Sequence, residues 1–124
     1  MIAAAIALAM VVGVAGIVVW RRRSRPVIGV VDPRAVAMWA LLDSKRPCPR
    51  VQWVQPDPSS PGGNSVKQGK IWVAGWWLGG SVVYVVRGRH EGHALPHELV
   101  HAFGLPDHTP EFYTWTNMLE ASVP

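Results

Sequence analysis

The sequence predicts an α+β chain in which an N-terminal transmembrane helix precedes one small domain. That domain would have a mixed, twisted sheet of about four strands, one backing helix and a short histidine-bearing helix. Three observations predict it. Residues Ile2 to Trp20 are nineteen consecutive uncharged positions. Behind them, short β-branched runs alternate with helix-start signals and Gly/Pro turns. All five histidines, His90, His93, His97, His101 and His108, fall between positions 90 and 108. A chain of 124 residues with 49% apolar content suits a single folded domain and excludes a disordered one.

The span comes first. At about 1.5 Å per residue, residues 1–20 cover roughly the hydrocarbon thickness of a bilayer, and Trp20 falls where interfacial aromatics belong. A cleaved signal peptide would need a charged start and a shorter apolar stretch. Residues 21–26 form a basic juxtamembrane linker. Lys plus Arg total 12 against 8 Asp plus Glu, and removing Arg21, Arg22, Arg23 and Arg25 leaves 8 against 8. The basicity therefore marks topology, placing the C-terminal domain on the cytoplasmic side of a single-pass membrane protein. A neutral domain behind such a patch argues against a nucleic-acid-binding surface. With Cys48 as the only cysteine there is no intramolecular disulfide and no Cys-pair metal site.

The domain, residues 27–124, opens on Val27 to Val31, a continuous β-branched run expected as a strand covered on both faces. Asp32 is a good N-cap and Pro33 suits the first helical position, so Arg34 to about Ser44 is expected as the backing helix. Val51 to Val54 reads as a second strand, parallel to the first through a βα crossover. Pro56 to Gly69 reads as a surface loop. Lys70 to Trp77 and Ser81 to Arg87 read as two strands joined around Leu78, Gly79 and Gly80. The tryptophans outside the span are expected as packing, with Trp76 and Trp77 the candidates for surface display.

The chemistry concentrates at Pro96-His97-Glu98-Leu99-Val100-His101-Ala102-Phe103-Gly104. Pro96 suits a helix start and Gly104 a helix end, predicting about two turns. His97 and His101 at i and i+4 converge on one metal ion, with Glu98 turned toward water on that metal. With zinc, that water becomes acidic enough for Glu98 to act as general base and then acid. A third ligand is needed, and Asp107 and His108 follow the turn at Gly104. Pro96 argues against helix reaching back through His93, so His90 and His93 read as loop residues.

His97, Glu98, His101, Gly104 and Asp107 resemble the extended zinc signature of the metzincin peptidases in its aspartate form. The stretch Gly104 to His108 looks very like the small bacterial snapalysins. The resemblance covers about residues 96–118. It implies a zinc metallopeptidase domain of minimal metzincin type over residues 27–124, with Zn2+ held by His97, His101 and Asp107, and His108 as the competing third ligand. It also implies a tight Met-turn at Asn117-Met118, Met118 being a packing floor beneath the metal; the C-terminal helix that follows this turn in metzincins is expected to be missing here, a departure from the family. The substrate is then an extended peptide or protein segment adding to an edge strand, for which Val82, Val83, Tyr84, Val85 and Val86 are the candidate. The expected function is that of a membrane-anchored zinc-dependent endopeptidase. The alternatives are a non-catalytic membrane-tethered interaction module and a zinc amidase acting on cell-wall peptides.

Overall fold

The computed structural model describes residues 29–123. The predicted span and the basic linker lie outside the described residues, and among those described no helix is long and apolar enough to cross a membrane. The described chain is a small α+β unit of three α-helices, a three-stranded sheet and a separate two-stranded hairpin.

Helix α1, Pro33–Leu42, forms as its signals dictate. Asp32 accepts hydrogen bonds from the Arg34 and Ala35 amides, Pro33 occupies the first turn, and Asp43 in the left-handed region stops it. Strand β1, Arg50–Val54, follows. The long loop carries one 3-10 turn at Pro61–Gly63 and then β2, Val66–Gln68. The expected strand over residues 70–77 is two strands broken at Ala74: β3, Ile71–Val73, pairs with β2, whereas β4, Gly75–Trp77, joins the main sheet. Strand β5, Val82–Val86, returns antiparallel to β4, so the predicted glycine-rich hairpin is present.

Main-sheet order is β1-β5-β4, with β5 parallel to β1. Alternate residues Val51, Val83 and Val85 are fully buried and form the face against the helices, as the two-residue period of a strand requires. Two helices complete the fold: α2, Glu91–Phe103, and α3, Pro110–Ser122. Helix α2 packs against β4, β5, α1 and α3 and is the central element. Leu95, Leu99 and Val100 of α2 meet Trp39 of α1 and Phe112 and Leu119 of α3 in one core.

The metzincin-like architecture expected from the sequence is overturned on three counts. There is no four-stranded sheet among the described residues. In place of the described part of the strand at 27–31 stands one antiparallel bridge between Val30 and Val51, with Val30 and Val31 49% and 66% exposed. The reason is local: Gly29 at φ +72° turns the chain against the Val51 carbonyl, and Asp32 begins capping α1 two residues after the bridge. Finally, Asn117-Met118 is no turn but the interior of α3, and that helix occupies the place where none was expected.

Candidate metal centre

Helix α2 starts five residues before Pro96 and passes through it. The hydrogen bond that proline removes is the one to the carbonyl of Gly92, which is exposed and can bond to water, so the interruption costs little there. The consequence corrects the expectation for His93: His93, His97 and His101 form an i, i+4, i+8 row on one helix face. The His93 and His97 ring centroids are 6.3 Å apart. The far end is as predicted, with Gly104 at φ +104° donating its amide to the Val100 and His101 carbonyls.

The turn beyond Gly104 carries His108 back over the helix. His108 itself has φ +54°, an unusual conformation for a non-glycine residue that aims its ring at the other two histidines. His97 Nε2 lies 3.1 Å from His101 Nε2 and 3.2 Å from His108 Nε2. These three residues lie close enough together to hold one metal ion. Two imidazole nitrogens on a tetrahedral zinc, each at about 2.0–2.1 Å, would stand about 3.3 Å apart, so the observed separations fit such an ion within a few tenths of an ångström. The third member of the group is thus His108. Asp107, which the resemblance implies as ligand, is largely exposed and approaches the group from outside, 3.2 Å from His108 Nε2 and 3.5 Å from His101 Nδ1. At His101, Asp107 lies beside the nitrogen turned away from His97, where a carboxylate orients a ligating ring and raises its basicity; at His108 it lies beside the same Nε2 that faces His97.

Beneath the rings lies Phe112, which is completely buried. Its ring centroid is 4.9 Å from that of His97, 4.5 Å from His101 and 5.4 Å from His108. Phe112 is therefore the floor that Met118 was expected to be. Met118 projects from another face of α3 and is 44% exposed. Thr109 caps that helix by accepting from the Phe112 amide, which fixes Phe112 in the first turn. Tyr113 stacks on His108 with ring planes 17° apart.

Glu98, a quarter turn from His97, is 5% exposed and faces the sheet. It fits because Gly75 of β4 has no side chain: a Cβ there would lie 2.9 Å from Glu98 Cγ and 3.3 Å from its Oε2. A cleft of about 250 Å³ runs past this point, lined by Val73, Ala74, Gly75, His93, His97 and Glu98 among others. The strand beside the cleft is β4, at the sheet's edge. Val82–Val86, expected to be that edge, is the central strand with partners on both sides. Its unbroken β-branched and aromatic run suits the middle of a sheet, where both backbone edges are paired.

The electrostatics match the geometry. Burial, reinforced by the neighbouring imidazoles of His101, His108 and His93, pulls the pKa of His97 down to about 4. Burial likewise lowers that of His101, against the opposing pull of Asp107. Both imidazoles are thereby kept neutral, as metal ligation requires. Burial, with the Asp107 charge second, pushes the Glu98 carboxyl up to about 7, the range useful to a general base.

Of the predicted site residues, the structure brings together His97, His101 and His108, with Glu98 on the neighbouring face of the same helix. Phe112 and Gly75 were missed. The signal for Phe112 was present, since Thr109-Pro110-Glu111 is a helix start and Phe112, Thr116 and Leu119 share one face. Comparison with protein-family models, with curated proteins and with solved structures finds no match to this chain.

Proposed function

We propose that the protein is a zinc-dependent endopeptidase whose metal is held by His97, His101 and His108. The observation that carries this reading is the convergence of three imidazole nitrogens next to a buried glutamate on a cleft along an edge strand. The donor set fits zinc, since three neutral nitrogen ligands leave the fourth position of a tetrahedral ion for substrate or water. Zinc bound there supplies Lewis acidity, polarising a carbonyl and lowering the pKa of water from 15.7 toward about 7.

The chain's own residues supply the rest. Glu98 takes the proton of the attacking water and returns it to the departing amine, for which a carboxyl poised near neutrality is suited. Phe112 keeps the three rings from collapsing into the core, and Asp107 orients the His101 ring from its outer nitrogen. The edge strand β4, unpaired on one side in its sheet, offers backbone groups to an extended peptide, and Gly75 lets that strand approach Glu98.

The test is to purify the full chain in detergent, measure zinc stoichiometry, and compare cleavage of an unstructured protein by wild type and Glu98→Gln. One equivalent of zinc in both proteins is expected, with turnover in the variant falling by at least about a hundredfold, the lower end of general acid-base contributions. Wild type that binds no zinc, or cleavage that survives Glu98→Gln, would overturn the reading.

A further inference from the structure

A second cavity, of about 360 Å³, adjoins the cleft, and His93 lines both. Three parts of the fold build its wall: Arg34 and Met38 from α1, Arg89 and His90 from the turn entering α2, and Glu120 from α3. The domain as a whole is neutral, yet the lining of this hollow includes two arginines and two histidines against one glutamate. Arg34 is already committed, 3.6 Å from Asp32 and 3.5 Å from Glu91. Arg89 is exposed, lines the cavity and has no ion pair among the described residues; its Nη2 lies 3.7 Å from where a Cβ on Gly62 would stand. The one carboxylate of the wall, Glu120, sits on the shared imidazole, its Oε2 3.0 Å from His93 Nδ1. The protein's own side chain thus shows where a carboxylate is accepted.

We propose that this cavity binds a carboxylate of the peptide substrate, with Arg89 as the charged partner and His93 as the hydrogen-bonding wall between the carboxylate and the scissile bond. The inference rests on the peptidase reading of the metal centre and adds a substrate class to it, peptides with an acidic group near the cleavage point. His93 lies one helical turn from His97, about 5–6 Å, and an extended chain advances about 3.3 Å per residue. The carboxylate therefore belongs about two residues from the bond that breaks. Its source is either an Asp or Glu side chain or the C-terminal carboxylate.

The experiment is a binding titration on the full Glu98→Gln chain in detergent with zinc present. It uses four blocked hexapeptides, carrying Glu or Gln at one position, each with a free or an amidated C-terminus. Every added carboxylate that reaches the cavity should tighten binding by about tenfold, the value of a hydrogen bond to a charged group. An advantage of Glu over Gln in the amidated pair assigns the side chain, and an advantage of the free over the amidated Gln peptide assigns the C-terminus. Arg89→Ala should erase the advantage. Glu120→Gln, which removes the competing carboxylate from His93, should enlarge it. Equal affinities for all four peptides, or an advantage that Arg89→Ala leaves intact, would overturn the proposal. Because binding is measured on a variant from which the proposed base is absent, this failure is separate from a failure of peptide hydrolysis.

Discussion

Helices α2 and α3 are the same length, thirteen residues each, and lie against one another, yet they serve the site in opposite ways. Helix α2 presents chemistry, with His97 and His101 on one face and Glu98 on the next. Helix α3 presents shape, placing the Phe112 ring under all three imidazoles while its single Met points elsewhere. Ligand spacing alone describes only the first helix. What holds three imidazole nitrogens 3.1 to 3.2 Å apart around His97 is an apolar surface supplied by the second. Close-packed interiors transmit such constraints because side chains have few alternative positions.

The comparison breaks most sharply at Phe112 against Met118. Phe112→Ala should cost about 3–5 kcal/mol in denaturant unfolding, the usual loss for a fully buried aromatic. Met118→Ala, on a half-exposed position, should stay within about 0.5 kcal/mol. Should Phe112→Ala fail to fold, Phe112→Leu keeps an apolar body under the rings, and its weaker zinc affinity would still identify the floor. A loss of zinc on Met118→Ala with none on Phe112→Leu would reverse the assignment.

The next test concerns the turn between the two helices, where adjacent residues are given different roles. His108→Ala removes one of three ligand nitrogens and should weaken zinc binding by more than about a hundredfold. Asp107→Asn keeps a polar group beside His101 and His108 and should weaken it by about tenfold, within the range for partners that orient ligands. Competition with a calibrated chelator measures both. The opposite order would make Asp107 the ligand.

The same contrast shows what the sequence could and could not reveal. Helix α1 was legible because its cap, Asp32-Pro33, is a local device, and the β4–β5 hairpin because its glycines are. The pair His97 and His101 was legible because helical spacing alone makes them neighbours. His108 was open between two adjacent candidates, since choosing it depends on the φ of +54° that the turn imposes. Pro96 misled, because the cost of a proline within a helix depends on whether the carbonyl it abandons reaches water, and exposure is a tertiary property. Met118 misled for a different reason. A resemblance in the ligands was extended to the segment after them, although Thr109-Pro110-Glu111 announced a helix by purely local rules. The central place of β5 is not legible locally, because pairing on both sides is fixed by the order of the sheet, which no local pattern states.

The mildest probe leaves the packing alone and varies pH in the metal-free chain, where only α2 of the two helices carries strongly displaced groups. Glu98 titrates at about 7 in the fold against an ordinary value near 4.5, so the fold favours its protonated form. Its contribution to stability is complete below about 4.5 and is lost as pH rises through 7. His97 titrates at about 4 against an ordinary 6.5, so the fold favours its neutral form. That contribution is complete above 6.5 and is lost as pH falls through 4. The two windows overlap between about 4.5 and 6.5, where the opposing slopes offset each other, so stability of the chelator-treated protein should be nearly level there and fall below about 4.5 and above about 6.5, as read by denaturant unfolding from pH 4 to 8. Glu98→Gln should remove the alkaline fall and leave stability rising from about pH 4 to 6.5, because an amide has no proton to lose and His97 then acts unopposed. If both limbs persist in Glu98→Gln, the buried carboxyl of α2 is not what the alkaline side reports, and the division of labour between the two helices loses its electrostatic half.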